Sequence, residues 1–181
     1  MSKPRIIAIW QECDIQIAES ATNETWPTGA NAFSPVGVIK EKTTTLEATE
    51  GETLELKSTG GHTVDIVETE GSLQLKTTTI EPTSLYKLLG LTDSELTDAV
   101  EQGIKTHVVD KRFAVKLTPK RIGGIGYKFP VTQVSIKPGG SEEEGGSAEI
   151  TFNVIKPADE SVAWYTRFKK AAAAGGTGGA G

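Results

Sequence analysis

The chain has 181 residues, 24 acidic and 19 basic, with a formal net charge of −5 and one cysteine. This length suits one domain with a sizeable core. The charge speaks against a nucleic-acid grip, which needs a dense Lys/Arg surface, and a lone cysteine rules out an intrachain disulfide framework.

From the N-terminus, Met-Ser-Lys-Pro-Arg lacks the apolar core of a signal peptide, so a cytosolic site of synthesis is expected. Cys13, Ile15 and Ile17 then alternate with Asp14, Gln16 and Ala18, which predicts a half-buried strand with Cys13 as a small buried hydrophobe. Residues 20–35 hold Asn23, Pro27, Gly29, Asn31 and Pro35 with no sustained period, and read as a long functional or partner-ordered loop. Between Leu46 and Thr79 the alternation of Leu54 and Leu56, and of Leu73 and Leu75, predicts consecutive hairpins. Glu50-Gly51, Gly60-Gly61 and Glu70-Gly71 would be their tight turns.

Mid-chain, the pattern turns helical. Ser84 to Leu89 follows Pro82 and stops at Gly90. Thr92-Asp93-Ser94-Glu95 has capping-box spacing ahead of Leu96 and Val100, and Gly103 ends that second helix. Strands resume with Phe113, Val115 and Leu117. Phe129 and Val131 are odd-numbered while Val134 and Ile136 are even, so a bulge or bend is expected near Pro130. Pro138, Gly139 and Gly140 open a loop carrying Glu142, Glu143 and Glu144 that closes at Gly145-Gly146, ahead of a strand through Ala148, Ile150, Phe152 and Val154. Val162, Trp164 and Phe168 share one face if their segment is a strand, with core as the default placement. The expected fold is mainly β: two packed antiparallel sheets, sandwich- or barrel-like, with one or two short flanking helices. Residues 1–170 form one domain, and 171–181, only Ala, Gly and Thr, a disordered tail.

No catalytic, cofactor or metal constellation stands out. His62 and His107 are far apart in sequence, and neither has ligand spacing with Cys13. Gly123-Gly124-Ile125-Gly126-Tyr127-Lys128 fails the phosphate-loop pattern and reads as a glycine turn. Glu55, Asp65, Glu68 and Glu70 read as a solvated face, and Lys111-Arg112 and Lys120-Arg121 as solvated strand ends. The few aromatics are not interleaved with a basic stripe.

The order of features carries more. An N-terminal strand and a long loop to Pro35 lead into Thr43-Thr44-Thr45-Leu46-Glu47-Ala48-Thr49-Glu50-Gly51-Glu52. The strand Thr53–Lys57, Gly60-Gly61, Val64-Asp65, the helix, the acidic loop 139–146 and Trp164-Tyr165 follow. Together these resemble phage tail tube (major tail) proteins and the related tube proteins of contractile injection systems, over most of residues 5–168. The resemblance implies a virion structural subunit, present in host cytoplasm during assembly. It forms hexameric rings that stack into a hollow tube, meets other tail proteins, and passes DNA without binding it specifically; it is not an enzyme and needs no cofactor. On that basis Trp26, Phe33, Leu46, Leu54, Leu56, Glu142, Glu143 and Glu144 are the expected interface residues. Two other readings compete. A β-sandwich carbohydrate- or protein-binding module would use Trp10, Trp26 or Trp164 as its platform. A small hydrolase or isomerase on a β-barrel lacks any catalytic set to support it.

Overall fold

The structure is a computed structural model and describes residues 10, 12–29, 32–80, 82, 85–86, 89, 108–143 and 145–172. Eleven strands form among them: β1 (Cys13–Glu19), β2 (Ser34–Pro35), β3 (Val38–Ile39), β4 (Thr45–Ala48), β5 (Thr53–Lys57), β6 (Thr63–Glu68), β7 (Leu73–Ile80), β8 (Val108–Pro119), β9 (Ile125–Ser141), β10 (Gly145–Val154) and β11 (Thr166–Lys169). Among the described residues every strand pairing is antiparallel. One large sheet has the order β2-β1-β8-β9-β10-β7-β3, with β11 also on β9 and β4 also on β7; β5 and β6 form a separate two-stranded sheet. The barrel is not closed.

Alternation sets the inner face. Ile15 and Ile17 of β1, Val115 and Leu117 of β8, Ile150 and Phe152 of β10 and Leu75 of β7 are all buried in one cluster. The helical turn near Pro82 adds Leu85 and Leu89, four residues apart and both buried, with Tyr86 N–H donating to the Pro82 carbonyl and Leu89 N–H to that of Leu85. The predicted second helix, 92–103, lies outside the described residues.

β9 is the axis of this body, and it contains the expected irregularity. Val115 of β8 faces Phe129, while Phe113 faces Thr132. Two steps along β8 thus match three along β9, leaving one extra residue beside Pro130. The extra residue moves the inward set from odd to even positions: Phe129 before it, Val134 and Ile136 after it, all fully buried. Thr132, buried at the bulge, donates its hydroxyl to the Phe113 carbonyl at 2.8 Å.

The far margins of the sheet are joined by one short segment. Ser34-Pro35 pairs with β1 and Val38-Ile39 pairs with β7, so residues 34–39 step from one edge to the other. Buried Val36 sits between them, its N–H donating to the Ile15 carbonyl. The sheet therefore wraps around its own core.

Two predicted connections differ. The loop after Pro138 shrinks, because the β9–β10 ladder continues through Gly140 opposite Gly146 to Ser141 opposite Gly145. Glycine and proline there weaken a strand without ending it, since both are tolerated on an exposed hairpin. Phe168 is not a core neighbour of Trp164. Trp164 precedes β11 and packs on the core cluster, whereas Phe168 pairs opposite Gly126 and its ring covers that glycine on the outer face.

Thr132→Val keeps the shape but removes the hydroxyl donor at the bulge. Chemical denaturation should show a loss of about 1–2 kcal/mol with an unchanged denaturant slope.

Candidate assembly interface

β4 through β7 form one long hairpin and not a series of them. β4 pairs with β7 on the body; beyond it, β5 pairs with β6, and the chain reverses at Gly60-Gly61. Gly61, at φ +76°, supplies the left-handed turn position. Gly51 and Gly71 do something else. They sit where the two strands cross, in the matching tripeptides Thr49-Glu50-Gly51 and Thr69-Glu70-Gly71. A Cβ on Gly51 would overlap the Thr69 carbonyl oxygen, and a Cβ on Gly71 would overlap that of Thr49.

The hydrogen bonds are equally reciprocal. Thr49 N–H donates to the Ser72 carbonyl and Thr69 N–H to the Glu52 carbonyl, each at 2.9 Å. The Thr49 hydroxyl accepts from Ser72 N–H, and the Thr69 hydroxyl from Glu52 N–H. Glycine is thus placed for close approach of two backbones, which spacing alone does not separate from a turn.

Past the crossing, β5 and β6 are exposed at every residue. Leu54 opposes Val67 and Leu56 opposes Asp65, which puts Leu54, Leu56 and Val67 on one face of the ribbon; Ile66, opposite Glu55, lies on the other. Leu54, Leu56, Val64, Ile66 and Val67 are between 48% and 71% exposed, far from the all-buried alternation of β7 and β10. A ribbon of two strands has no core of its own and is marginal in water. Among the described residues β5 and β6 pair only with each other, so this arm presents apolar side chains and an open edge on each strand.

The other expected residues fall in different places. Trp26 and Phe33 stack on each other, ring centroids 4.9 Å apart, and Lys128 Nζ lies 5.1 Å from the Trp26 ring. Among the described residues of their loop no strand precedes Ser34, yet the loop is fastened. The Ser20 hydroxyl donates to the Pro130 carbonyl, and the Glu24 carboxylate accepts from Arg112 and from Ala158 N–H. Leu46 is half-buried against the core. Glu142 and Glu143 are exposed at the tip of the β9–β10 hairpin, and Glu144 lies outside the described residues. The seven described positions do not form one patch: Leu54 and Leu56 share the arm, Trp26 and Phe33 share the outer face, Leu46 packs on the body, and Glu142 and Glu143 share a separate tip.

Nor do the tryptophans make a shared platform. Trp10 donates its indole N–H to the Ile125 carbonyl and, like Trp164, packs on the core, leaving only Trp26 on the outer-face loop. The segment read as a glycine turn is one: it joins β8 to β9, with Gly123 N–H donating to Lys170 and Lys170 N–H to Gly124. His62 is exposed in the arm, and His107 lies outside the described residues. Among the described residues, no group of three His, Cys, Asp or Glu side chains could hold a metal ion.

An open groove runs between β1, β8 and the segment 35–44, lined by Lys40, Lys42, Lys116 and Lys120 with Glu12 and Asp14 interspersed. Cys13 lines it too, half-buried rather than fully buried, its thiol 3.6 Å from the Thr44 hydroxyl, which in turn meets Thr77 at 3.0 Å. Burial raises the Cys13 pKa above its ordinary value, outweighing the lowering by the Thr44 hydrogen bond. The thiol is therefore protonated at neutral pH.

What sequence reasoning missed is a basic outer face. Lys116 of β8 pairs opposite Lys128 of β9, and Lys128 opposite Thr166 of β11, so Lys116, Lys128 and Phe168 share the side away from the core. Both lysines lie within 6 Å of the Phe168 ring. Arg167, opposite Tyr127, is on the other side of β11, 6.0 Å from the Tyr127 ring. The signal was available, since residues 111–141 contain seven bases and no acid, and 161–181 three bases and no acid.

No protein-family model matches the chain, and no curated protein matches it. Among solved structures it is similar to a chain described as the tail of an empty GTA particle, refined helically with C6 symmetry. Identity is 15%, the match covers 87% of this chain and 96% of that one, and the TM-score is 0.39. The backbones superpose loosely.

Two measurements check this geometry. Gly51→Ala with Gly71→Ala should force the crossing open while the body keeps its melting temperature. Trypsin, whose one site in the arm follows Lys57, should then cut there at least about tenfold faster, since local opening sets the cleavage rate. For Cys13, a thiol reagent at pH 8 should react more slowly than with free cysteine, with the rate still climbing above pH 9 as the raised pKa is approached.

Proposed function

We propose that this chain is a non-enzymatic structural subunit of a phage-type tail. Copies of it associate into rings, and the rings stack into a hollow tube through which DNA passes without specific binding. Other tail proteins meet the tube at its ends, and the assembled protein belongs to the virion after assembly in host cytoplasm. The six-fold order comes with the resemblance to tail tube proteins.

The observation that carries the self-association is the arm. Its five exposed large apolar residues sit on a ribbon with two open strand edges, beyond a crossing too tight for any side chain at two positions. A free protein that keeps such a surface wet gives up roughly 25 cal/mol for each Å² left unburied, and open edges invite strands from other chains. Covering by sister copies satisfies both, and closed symmetry limits the growth of each ring.

Size-exclusion with light scattering, followed by negative-stain microscopy at high concentration, should show rings or tubes. Leu54→Ser with Leu56→Ser and Val67→Ser should leave the fold intact by circular dichroism and weaken association at least about tenfold, the equivalent of about 1.4 kcal/mol. A wild-type protein that stays monomeric at every concentration, with empty grids, overturns the reading.

A further inference from the structure

The net charge of the chain is concentrated in the arm. Residues 49–72 hold six carboxylates (Glu50, Glu52, Glu55, Asp65, Glu68 and Glu70) against Lys57, a net of −5. The remaining residues balance, with 18 acidic and 18 basic. Within that balanced remainder the charges are again sorted. The acid-free stretches 111–141 and 161–181 contribute ten bases, and they build β8, β9 and β11. Some of these bases are paired on the body: Lys111 with Glu19, Arg112 with Glu24, Lys120 with Glu12 and Lys137 with Glu149. On the outer face, Lys116 and Lys128 instead lie against the rings of Phe168 and Trp26.

From this sorting we infer that the arm of one copy docks on the basic, aromatic outer face of β8, β9 and β11 of a second copy. The inference rests on the self-association proposed above and names the surface that receives the arm. The two surfaces match in three respects. The arm is acidic and the face basic. The arm offers Leu54, Leu56 and Val67 on one side, and the face offers the half-buried rings of Trp26 and Phe168. The arm has an open edge on each strand, and among the described residues β11 pairs only with β9, leaving its other edge for a strand from another chain. A contact of this kind is steered by charge and held by apolar burial, so it weakens as salt rises.

Charge exchange tests it. Arm variant E55K/D65K/E68K and face variant K116E/K128E are each prepared as full chains, with folding checked by circular dichroism and melting. Lys116 and Lys128 are half-buried, so a second face variant, T166E, places a carboxylate at an exposed position opposite Lys128 on the same side. Each variant alone should associate at least about tenfold more weakly than wild type by sedimentation. An equimolar mixture of arm and face variants should recover association, because each arm then meets a face of opposite sign, and so should a chain carrying both sets. Wild-type association should weaken at least about tenfold between 50 mM and 500 mM salt.

If both face variants associate like wild type while the arm variant does not, the receiving face is wrong and self-association stands. If wild type never associates, the underlying reading fails and this inference with it. A duplex oligonucleotide is the control ligand. Binding of DNA that is lost in the face variants, with association unchanged, would assign the face to nucleic acid and overturn the docking.

Discussion

The body of this protein depends on one extra residue in one strand. β9 is seventeen residues long and serves as a common neighbour to β8, β10 and β11. A regular strand of that length would present its even-numbered side chains to one side throughout. The bulge beside Pro130 breaks that rule once, so Phe129 and Ile136 both point into the same core although their numbers differ in parity. Bulges also sharpen local twist and bend. Here the consequence is a sheet that carries β1 round toward β7, close enough for the single segment 34–39 to touch both. The hydroxyl of Thr132 supplies a donor to the Phe113 carbonyl where the ladder is disturbed.

A second irregularity has the opposite effect. At the bulge the chain adds a residue to keep the core closed; at the crossing of the long hairpin it removes side chains to let two backbones touch. The paired Thr-Glu-Gly tripeptides behave as a small two-fold device, each threonine serving the other strand's backbone with its hydroxyl and its N–H. The device anchors a ribbon that could not hold itself together by burial. Polar ladder bonds at the root replace the missing core, which frees the apolar residues beyond it for another purpose. Lys156, bonded to both oxygens of Glu70, adds a tie from the body to the same root.

Period-two alternation was legible wherever a strand has one buried face, so β1, β7, β8 and β10 follow directly from Ile15, Leu75, Val115 and Ile150. The phase change at Pro130 was legible for the same reason, because a bulge leaves its mark in the alternation itself. Pairing was not. Leu54 and Leu56 alternate just as Leu73 and Leu75 do, yet the first pair is exposed and the second buried, since alternation reports a face and says nothing of what covers it. Gly51 and Gly71 look like turn glycines in one dimension; only the approach of residues twenty positions apart shows otherwise. The basic outer face escaped for a similar reason. Lys116, Lys128 and Phe168 are scattered along the chain, and strand register alone brings them together.

The distribution of charge joins these two halves of the structure. Glu55, Asp65 and Glu68 on the two-stranded ribbon, with Glu50 and Glu52 near its root, repel one another at low salt, and a ribbon without a core has little to set against that repulsion. The cost falls when cations are nearby, and the body holds its unbalanced cations on β8, β9 and β11. Intramolecular reach is one way to bring the two together, but no described residue of the ribbon beyond its root bonds to the outer face. On the proposed docking, a second molecule meets that imbalance. Sorting charge between a projecting element and a flat face gives each copy one donor and one receiver of opposite sign. Such a pair joins head to tail and cannot be satisfied by a closed pair of mutual contacts on either surface alone. Repeated contacts of that kind close into rings or run into filaments, which is the geometry a tube requires.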